Sequence, residues 1–288
     1  MMQVGIDSYC FHRYFGEVYH GMQRDPGVSW DIFDFLDYAE SIGVDNVSIE
    51  TCFLPSLDQP FLADLEQRLN SGGFKRMLAW GHPSGLEAGA NRDALEELRR
   101  HIPLARLLGA SALRIVGSGG LPQNVSHERE IATLIEWLKD VCSTAAQHGV
   151  RLAMENHNDF DSEEMLRIVE GVGSDYFGVN LDTGNLLRVF DDPVAGSRRL
   201  APYTVATHIK DVAASRGSPR EFAFWPSCPL GQGLVDLPAV ARALKDAGYQ
   251  GPLTIEIDLV HPNWAHLPEE TIVRESVSYL RQVVADIG

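Results

Sequence analysis

Short apolar runs alternate along the chain with segments of helical period. The runs predict eight β-strands, over residues 3–8, 46–51, 76–81, 112–117, 151–156, 177–182, 204–210 and 253–258. Between them, apolar residues recur at the spacing of a helix, as in the series Leu95, Leu98, Ile102, Ala105 and Leu108. This alternation is typical of βα units and of a mainly parallel sheet.

A glycine stands shortly before six of the predicted strands, at Gly43, Gly73, Gly109, Gly149, Gly173 and Gly248. A glycine at this place is typical of a left-handed residue that ends a helix and leads into a tight loop. We therefore expect short connections from each helix to the next strand.

The connections that follow strands are longer in two places. Residues 9–29 and 211–235 are rich in aromatic residues and are interrupted by Gly and Pro, and loops of that length are usually functional. Eight strand–helix units with long loops on one edge predict a single (β/α)₈ TIM barrel domain over residues 1–288, with its site at the carboxyl ends of the strands. A doubly wound open sheet is the alternative.

Composition narrows the class of protein. The 288 residues are 44% hydrophobic and 22% charged, which is ordinary for a globular domain. The net charge of −16 disfavours nucleic acid and anionic membranes as partners. The four cysteines show no CxxC spacing, and neither a leader nor a long apolar window is evident, so we expect reduced thiols and a cytoplasmic protein. The sequence leaves open whether the protein forms a homo-oligomer.

Acidic residues or a histidine end the last four predicted strands. We select one per strand for an inward position, namely Glu155, Asp182, His208 and Glu256. Any one of them could be a rim residue in a local ion pair, but four at equivalent places favour a shared site. An oxygen-rich set with one imidazole suits Mn²⁺ foremost, with Mg²⁺ or Co²⁺ as alternatives, rather than thiolate-bound zinc.

The order Glu, Asp, His, Glu on strands five to eight resembles the xylose isomerase-like barrels, a family of sugar phosphate isomerases and epimerases that includes ketose 3-epimerases and inosose dehydratase. The segment 229–258, PLGQGLVDLPAVARALKDAGYQGPLTIEID, is also similar to that family. The resemblance covers the whole chain. It implies that the four residues bind one divalent metal and that Glu155 and Glu256 act as catalytic acid and base.

The residues expected to bind substrate are less uniform. Many family members have histidine where this chain has Asn185, three residues after Asp182. His157 and Lys210 share the inward side of their strands with Glu155 and His208 by the two-residue period. The remaining candidates are His82, His12 and Arg216, and GSGG at 117–120 is a candidate anion cradle.

The resemblance implies an isomerase or epimerase of a small sugar, phosphorylated or not, that removes a proton α to a metal-bound carbonyl and forms an enediolate. The alternative is a metal-dependent lyase, a decarboxylase or dehydratase, acting on an oxidised sugar such as a 3-oxo-isoapionate-type acid. An endonuclease-type hydrolase would need more histidines and a basic groove. A non-catalytic barrel would be expected to lack a ligand, whereas all four are present.

Overall fold

The fold is seen in a computed structural model that describes residues 2–119 and 127–288. Eight parallel strands form one sheet in the order β10-β1-β2-β3-β4-β5-β6-β7. A parallel bridge between Ile209 and Ile255 joins the two ends of this sheet and closes it into a barrel. The barrel strands are β1 Val4–Asp7, β2 Asn46–Glu50, β3 Lys75–Ala79, β4 Ala112–Val116, β5 Arg151–Glu155, β6 Phe177–Asp182, β7 Thr204–His208 and β10 Leu253–Ile255.

Helices follow the strands around the outside of the barrel. They are α1 Ile32–Ser41, α2 Gln59–Ser71, α3 Arg92–Leu107, α4 His127–His148, α5 Ser162–Val172, α6 Asn185–Arg188, α7 Pro193–Leu200, α8 Leu237–Asp246 and α9 Glu269–Ile287. Each of the longer helices buries one apolar stripe; in α3 this stripe includes Leu95, Leu98 and Ile102. The predicted (β/α)₈ barrel is confirmed.

The six glycines before strands have the backbone that the sequence predicts. Their φ angles lie between 59° and 82°, a left-handed region that side-chain-bearing residues rarely adopt. At the end of α5, Gly173 donates its N–H to Val169 and so closes the last turn. The connections into the strands are consequently short.

The interior of the barrel changes from small to polar side chains along the strands. Met77, Ala112, Ala153 and Ala206 contact one another as a small apolar layer contributed by four strands. Two residues further along, on the same side of each strand, β4 carries Arg114, β5 carries Glu155 and β7 carries His208. The polar site therefore lies directly above this alanine layer.

Three barrel strands end two or three residues earlier than predicted, and the first of them is β3, which was expected over 76–81 and ends at Ala79. The strand expected over 204–210 ends at His208, and the one expected over 253–258 ends at Ile255. The N–H of Glu256 still bonds to Ile209 O, and beyond it the chain leaves the barrel, because Asp258 and Leu259 bond to Ser227 instead. Ser227 belongs to a short antiparallel ribbon, β8 Asp211–Val212 with β9 Ser227–Cys228, inside the segment predicted as a long loop.

Candidate metal and active site

The four selected residues come together at the carboxyl ends of β5, β6, β7 and β10. Glu155, Asp182, His208 and Glu256 each offer one ligand atom, and these atoms all lie within 4.8 Å of one another. All four residues are buried. Because buried carboxylates repel one another unless a cation neutralises them, this cluster requires positive charge close by.

The donor atoms of the cluster fit a divalent cation. Both ring nitrogens of His208, Oδ2 of Asp182 and Oε2 of Glu256 are buried, and with the described residues they make ion-pair contacts but no hydrogen bond of good geometry. Three carboxylates and one imidazole form a mixed set that hard and borderline divalent ions accept. This buried Glu/Asp/His cluster could therefore hold a divalent metal ion.

Arg114 approaches the cluster from β4. Its Nε lies 2.5 Å from Glu155 Oε2, and its Nη1 lies 3.5 Å from Glu50 Oε1. Burial opposes the charge of Glu155, but Arg114 and His208 more than offset this and hold its pKa below the ordinary value. Burial dominates at Glu50, whose pKa rises to about 8 despite Arg114.

His208 lies among three carboxylates. Its Nδ1 is 3.2 Å from Glu155 and 3.4 Å from Glu256, and its Nε2 is 3.4 Å from Asp7 on β1. Burial lowers the pKa of the imidazole, but Glu256 and Glu155 outweigh that effect and raise it well above the usual value. The imidazole thus supplies positive charge to the carboxylates that surround it.

Lys210 follows two residues after His208 and lies on the other side of the cluster. Its Nζ is 2.5 Å from Glu256 Oε2, 3.0 Å from Asp182 Oδ2 and 3.1 Å from Asp258 Oδ2. Burial disfavours the ammonium, yet Asp182 and Asp258 raise its pKa well above normal. Lys210 is therefore a buried cation that neutralises three carboxylates.

A hydrogen-bonded chain links the two glutamates through buried polar residues. Asn185 donates to Glu155 Oε1 at 3.0 Å and accepts from Arg188 at 2.7 Å. Arg188 in turn donates to both oxygens of Asp258, which also binds Lys210. An amide can donate and accept at once, so Asn185 joins the carboxylate of Glu155 to the guanidinium of Arg188.

Asp182 is oriented by the main chain around it. Its Oδ1 accepts the N–H groups of Gly184 and Asn185 at 2.9 and 2.8 Å, and the side chain of Asn156 bonds to its backbone N–H and C=O. Burial raises the pKa of Asp182 to about 6 against the effect of Lys210. These bonds leave Oδ2 directed toward the cluster.

The cluster opens into a cavity of about 600 Å³ at the mouth of the barrel. Its lining includes Glu256, Lys210 and Asp258 on one side and Arg114 and Glu50 on the other. Glu155, which is fully buried, lies outside this lining. A more open depression of about 850 Å³ beside α3 contains none of the four cluster residues.

The predicted substrate residues divide into two groups. His157, His82 and Lys210 line the cavity. Burial lowers the pKa of His157 to about 4, so its imidazole is neutral at neutral pH, and its Nδ1 takes part in no hydrogen bond with the described residues.

The other three predicted residues lie outside the cavity lining. Both ring nitrogens of His12 are engaged, by Tyr9 O and Gln23 Oε1. Asn185 is fully buried and contacts Glu155 rather than open space. Arg216 is exposed in the loop after β8. Both ring nitrogens of His12 are thus occupied within the chain, and Asn185 contacts a residue of the cluster.

Several residues of the site were not selected from the sequence. Arg114 is the most informative, because a lone arginine inside the apolar strand ALRIV is a recognisable signal for a buried ion pair. Glu50 and Asp258 end strands or follow them and could have been found by the rule applied to Glu155. Tyr9, Glu17 and Tyr19 come from the long first loop, and their convergence is visible only in three dimensions.

In the part of the GSGG motif that the structure describes, backbone N–H groups donate to other residues of the chain. Ser118 donates its N–H to Asp159 at 2.7 Å, and Gly119 donates to Ser84 O at 3.1 Å. Gly120 lies outside the described residues. Among the described helices, none is long and apolar enough to cross a membrane.

Comparisons with known proteins agree with this architecture. The sequence model of the xylose isomerase-like TIM barrel family matches residues 36–283. The 3-oxo-isoapionate decarboxylase of Pectobacterium atrosepticum is 25% identical over 160 residues, 56% of each chain. The L-ribulose-5-phosphate 3-epimerase UlaE of Escherichia coli is 28% identical over 182 residues, 61% of this chain and 60% of that one. The matches thus span less than two thirds of these curated relatives.

A solved structure of an L-ribulose 3-epimerase superposes with a TM-score of 0.76 at 20% identity, covering 100% of this chain and 96% of the other. At this identity the superposition supports the barrel fold and says nothing about the substrate.

Proposed function

The chain belongs to the xylose isomerase-like TIM barrel family, and we propose that it is a divalent-metal-dependent isomerase or epimerase of a small ketose or related sugar. The observation that carries the proposal is the cluster of Glu155, Asp182, His208 and Glu256 at the carboxyl ends of the barrel strands, of which Glu256 lines the cavity. Mn²⁺ is the metal we expect first, with Mg²⁺ or Co²⁺ as alternatives.

A divalent metal bound by these four residues would polarise the carbonyl of the sugar and make the neighbouring C–H more acidic. We assign the proton transfers to the two glutamates. Glu256 faces the cavity, and His208 and Lys210 offset the cost of its burial and keep it ionised, so that it can accept the α proton. Glu155, kept ionised mainly by Arg114, is assigned the second transfer.

The place of the returned proton decides the product. Return to the opposite face of the same carbon gives the epimer, and return to the adjacent carbon gives the isomer. Neutral His157 can donate to or accept from a sugar hydroxyl, and Lys210 can stabilise developing negative charge on oxygen. The buried chain through Asn185, Arg188 and Asp258 holds Glu155 and Lys210 in position.

The test is exchange of the substrate α proton with solvent deuterium, followed by NMR with Mn²⁺-loaded protein and a panel of ketoses. We expect Glu256→Gln and Glu155→Gln to lower the rate by about 10²- to 10⁴-fold, measured at a temperature at which circular dichroism shows each variant to be folded. Glu275→Gln, at an exposed position on α9, is the matched control. Full activity in both cluster variants would refute the acid–base assignment.

A second candidate is a lyase acting on an oxidised sugar acid. The observation that favours it is the likeness to one curated relative, a 3-oxo-isoapionate decarboxylase. Loss of CO₂ from a β-keto sugar acid leaves an enolate, which takes up a proton at the carbon that carried the carboxylate. Bicarbonate released only from 3-oxo sugar acids, with no deuterium entering ketoses, would favour this candidate.

A further inference from the structure

We propose that the substrate of this cavity is unphosphorylated and that its distal end is an uncharged hydroxyl, bound at the cavity mouth by Tyr9, Glu17 and Tyr19. The inference rests on the proposed function, because it concerns the substrate of the same site. Three independent observations support it. They are the charges that line the cavity, the internal hydrogen bonds of two glycine-rich turns, and the hydrogen-bond acceptors at the cavity mouth.

The charges that line the cavity disfavour a phosphate. Three carboxylates line it, on Glu17, Glu256 and Asp258, together with the carboxyl group of Glu50, whose pKa burial raises to about 8, against the two permanent cations Arg114 and Lys210. Each of these cations is already paired with carboxylates. Residues 120–126, which the structure leaves undescribed, read GLPQNVS and contain no Lys, Arg or His. A phosphate dianion would therefore find no uncommitted cation among the described residues of the cavity.

The glycine-rich turn after β7 is filled by the protein itself. Loops at this edge of a barrel often bind phosphate through backbone N–H groups. Here the N–H groups of Val212, Gly231, Gly233 and Val235 all donate to the carboxylate of Asp211, at 2.9–3.0 Å. The turn is thus folded around an internal anion and leaves these four donors unavailable to a ligand.

The turn after β4 is used in the same way. Ser118 donates its N–H to the buried carboxylate of Asp159, and Gly119 donates to Ser84 O. In both places a carboxylate of the chain occupies the position that an external anion would need. Neither turn, as far as the structure describes it, is a phosphate cradle.

The mouth of the cavity instead offers acceptors. The Tyr9 hydroxyl is 2.8 Å from Glu17 Oε1 and 2.7 Å from the Tyr19 hydroxyl. A phenol has one proton to donate, so donation from Tyr9 to Glu17 leaves Tyr19 to donate to Tyr9. The second oxygen of Glu17 and the lone pairs of Tyr19 then accept from outside. A sugar hydroxyl can donate to them, whereas a phosphate dianion cannot.

An apolar wall completes this mouth. Phe222, from the loop after β8, packs against Tyr19 with ring centroids 5.4 Å apart. The guanidinium carbon of Arg188 lies 4.3 Å from the centroid of the Phe222 ring. The long loops after β1 and β7 therefore meet over the cavity. Their contact places the acceptors of Glu17 and Tyr19 beside an apolar ring, a pairing suited to the CH and OH groups of a sugar.

The experiment compares ribitol with D-ribitol 5-phosphate by titration calorimetry on the Mn²⁺-loaded protein. Both polyols lack a carbonyl and cannot turn over. We expect the phosphate to bind at least about tenfold more weakly than ribitol. Glu17→Lys should shift this ratio toward the phosphate by at least about tenfold, and Glu17→Gln, which keeps the hydrogen bond from Tyr9, by about fivefold. Glu275→Lys makes the same change of net charge far from the cavity and should leave the ratio unchanged.

Tighter or equal binding of the phosphate would overturn the inference, and so would a ratio that Glu17→Lys does not move, or binding of neither polyol. Deuterium exchange into a ketopentose is measured in parallel. A preference for ribitol without any exchange would contradict the proposed reaction and leave the inference standing. Deuterium exchange together with tighter binding of the phosphate would support the proposed reaction and overturn the inference.

Discussion

The two halves of the barrel build the site in different ways. Strands β5, β6, β7 and β10 contribute the four residues of the donor cluster, one from each strand end. Strands β1, β2 and β4 contribute Asp7, Glu50 and Arg114, which contact the cluster or one another from the opposite side. One half thus concentrates carboxylates, and the other adds a cation together with two further acids.

The comparison shows which groups offset the electrostatic cost of burying the carboxylates. Three buried carboxylates close together are unfavourable, and their charge is balanced in this structure by Arg114 from the first half and by His208 and Lys210 from the second. A metal ion bound to His208 would take the place of the proton on that imidazole and supply positive charge itself. The first half is therefore expected to govern stability more than chemistry, and the second half chemistry more than stability.

Removing the cation of the first half is the strongest test of this division. Arg114→Met would leave Glu155 without its closest guanidinium, and breaking a buried pair typically costs about 3 kcal/mol or more. We expect urea unfolding to show that loss. Arg167→Met, which breaks an exposed pair with Glu128, should cost less than about 1 kcal/mol. Equal losses in the two variants would contradict the division.

Metal binding tests the second half. Mn²⁺ at about 100 times its dissociation constant should raise the free energy of unfolding by about 2.7 kcal/mol, which is roughly 5 °C in melting temperature for a chain of this size. Asp182→Asn, which removes a charged donor, should abolish most of that increase. If Mn²⁺ leaves the melting temperature of the unaltered protein unchanged, the cluster does not hold the ion.

The link between the glutamates is tested at Asn185. Asn185→Leu removes a hydrogen bond to a charged carboxylate, so kcat should fall by about tenfold or more. KM should change little, because Asn185 lies outside the cavity lining. Asn185→His restores a donor and should recover part of kcat. A large rise in KM with unchanged kcat would instead indicate direct contact with substrate.

A further test of the first half is a pH dependence from Glu50. Burial raises its pKa to about 8, so between the ordinary glutamate pKa and pH 8 the folded protein keeps a proton that the unfolded chain has released. Its contribution to stability is complete below that window and is lost as pH rises through it. Glu50→Gln cannot ionise. The melting temperature of the variant relative to that of the wild type should therefore rise with pH, and the difference should level off above about pH 8.

These pH measurements are made with a chelator present, so that metal binding does not titrate alongside Glu50. Glu66→Gln, for which no contact with the cluster is seen, is the control. A difference in melting temperature between Glu50→Gln and the wild type that stays constant across the pH range would contradict the raised pKa of Glu50.

Strand order, helix-ending glycines and the four cluster residues were all accessible from the sequence. Each depends on a local pattern: apolar runs, a glycine at a helix end, or an acid where an apolar strand stops. The strand-end rule worked for Glu155 and Asp182 because parallel strands in a barrel bring equivalent positions together. The early end of β7 was missed because the side chain of Thr183 bonds to the backbone N–H and C=O of Lys210. The early end of β10 was missed because Leu259 pairs with Ser227 of the ribbon.

The sequence by itself thus determined the barrel and the acids at its rim, since both follow from residue spacing along a single strand or helix. The tertiary structure decided which charges face one another: Arg114 against Glu155, Lys210 among three carboxylates, Asp211 inside its own glycine turn, and Asn185 on Glu155 rather than on open cavity. Such pairings join residues from separate strands and loops, and the Coulomb energy and desolvation that select them depend on distances through space.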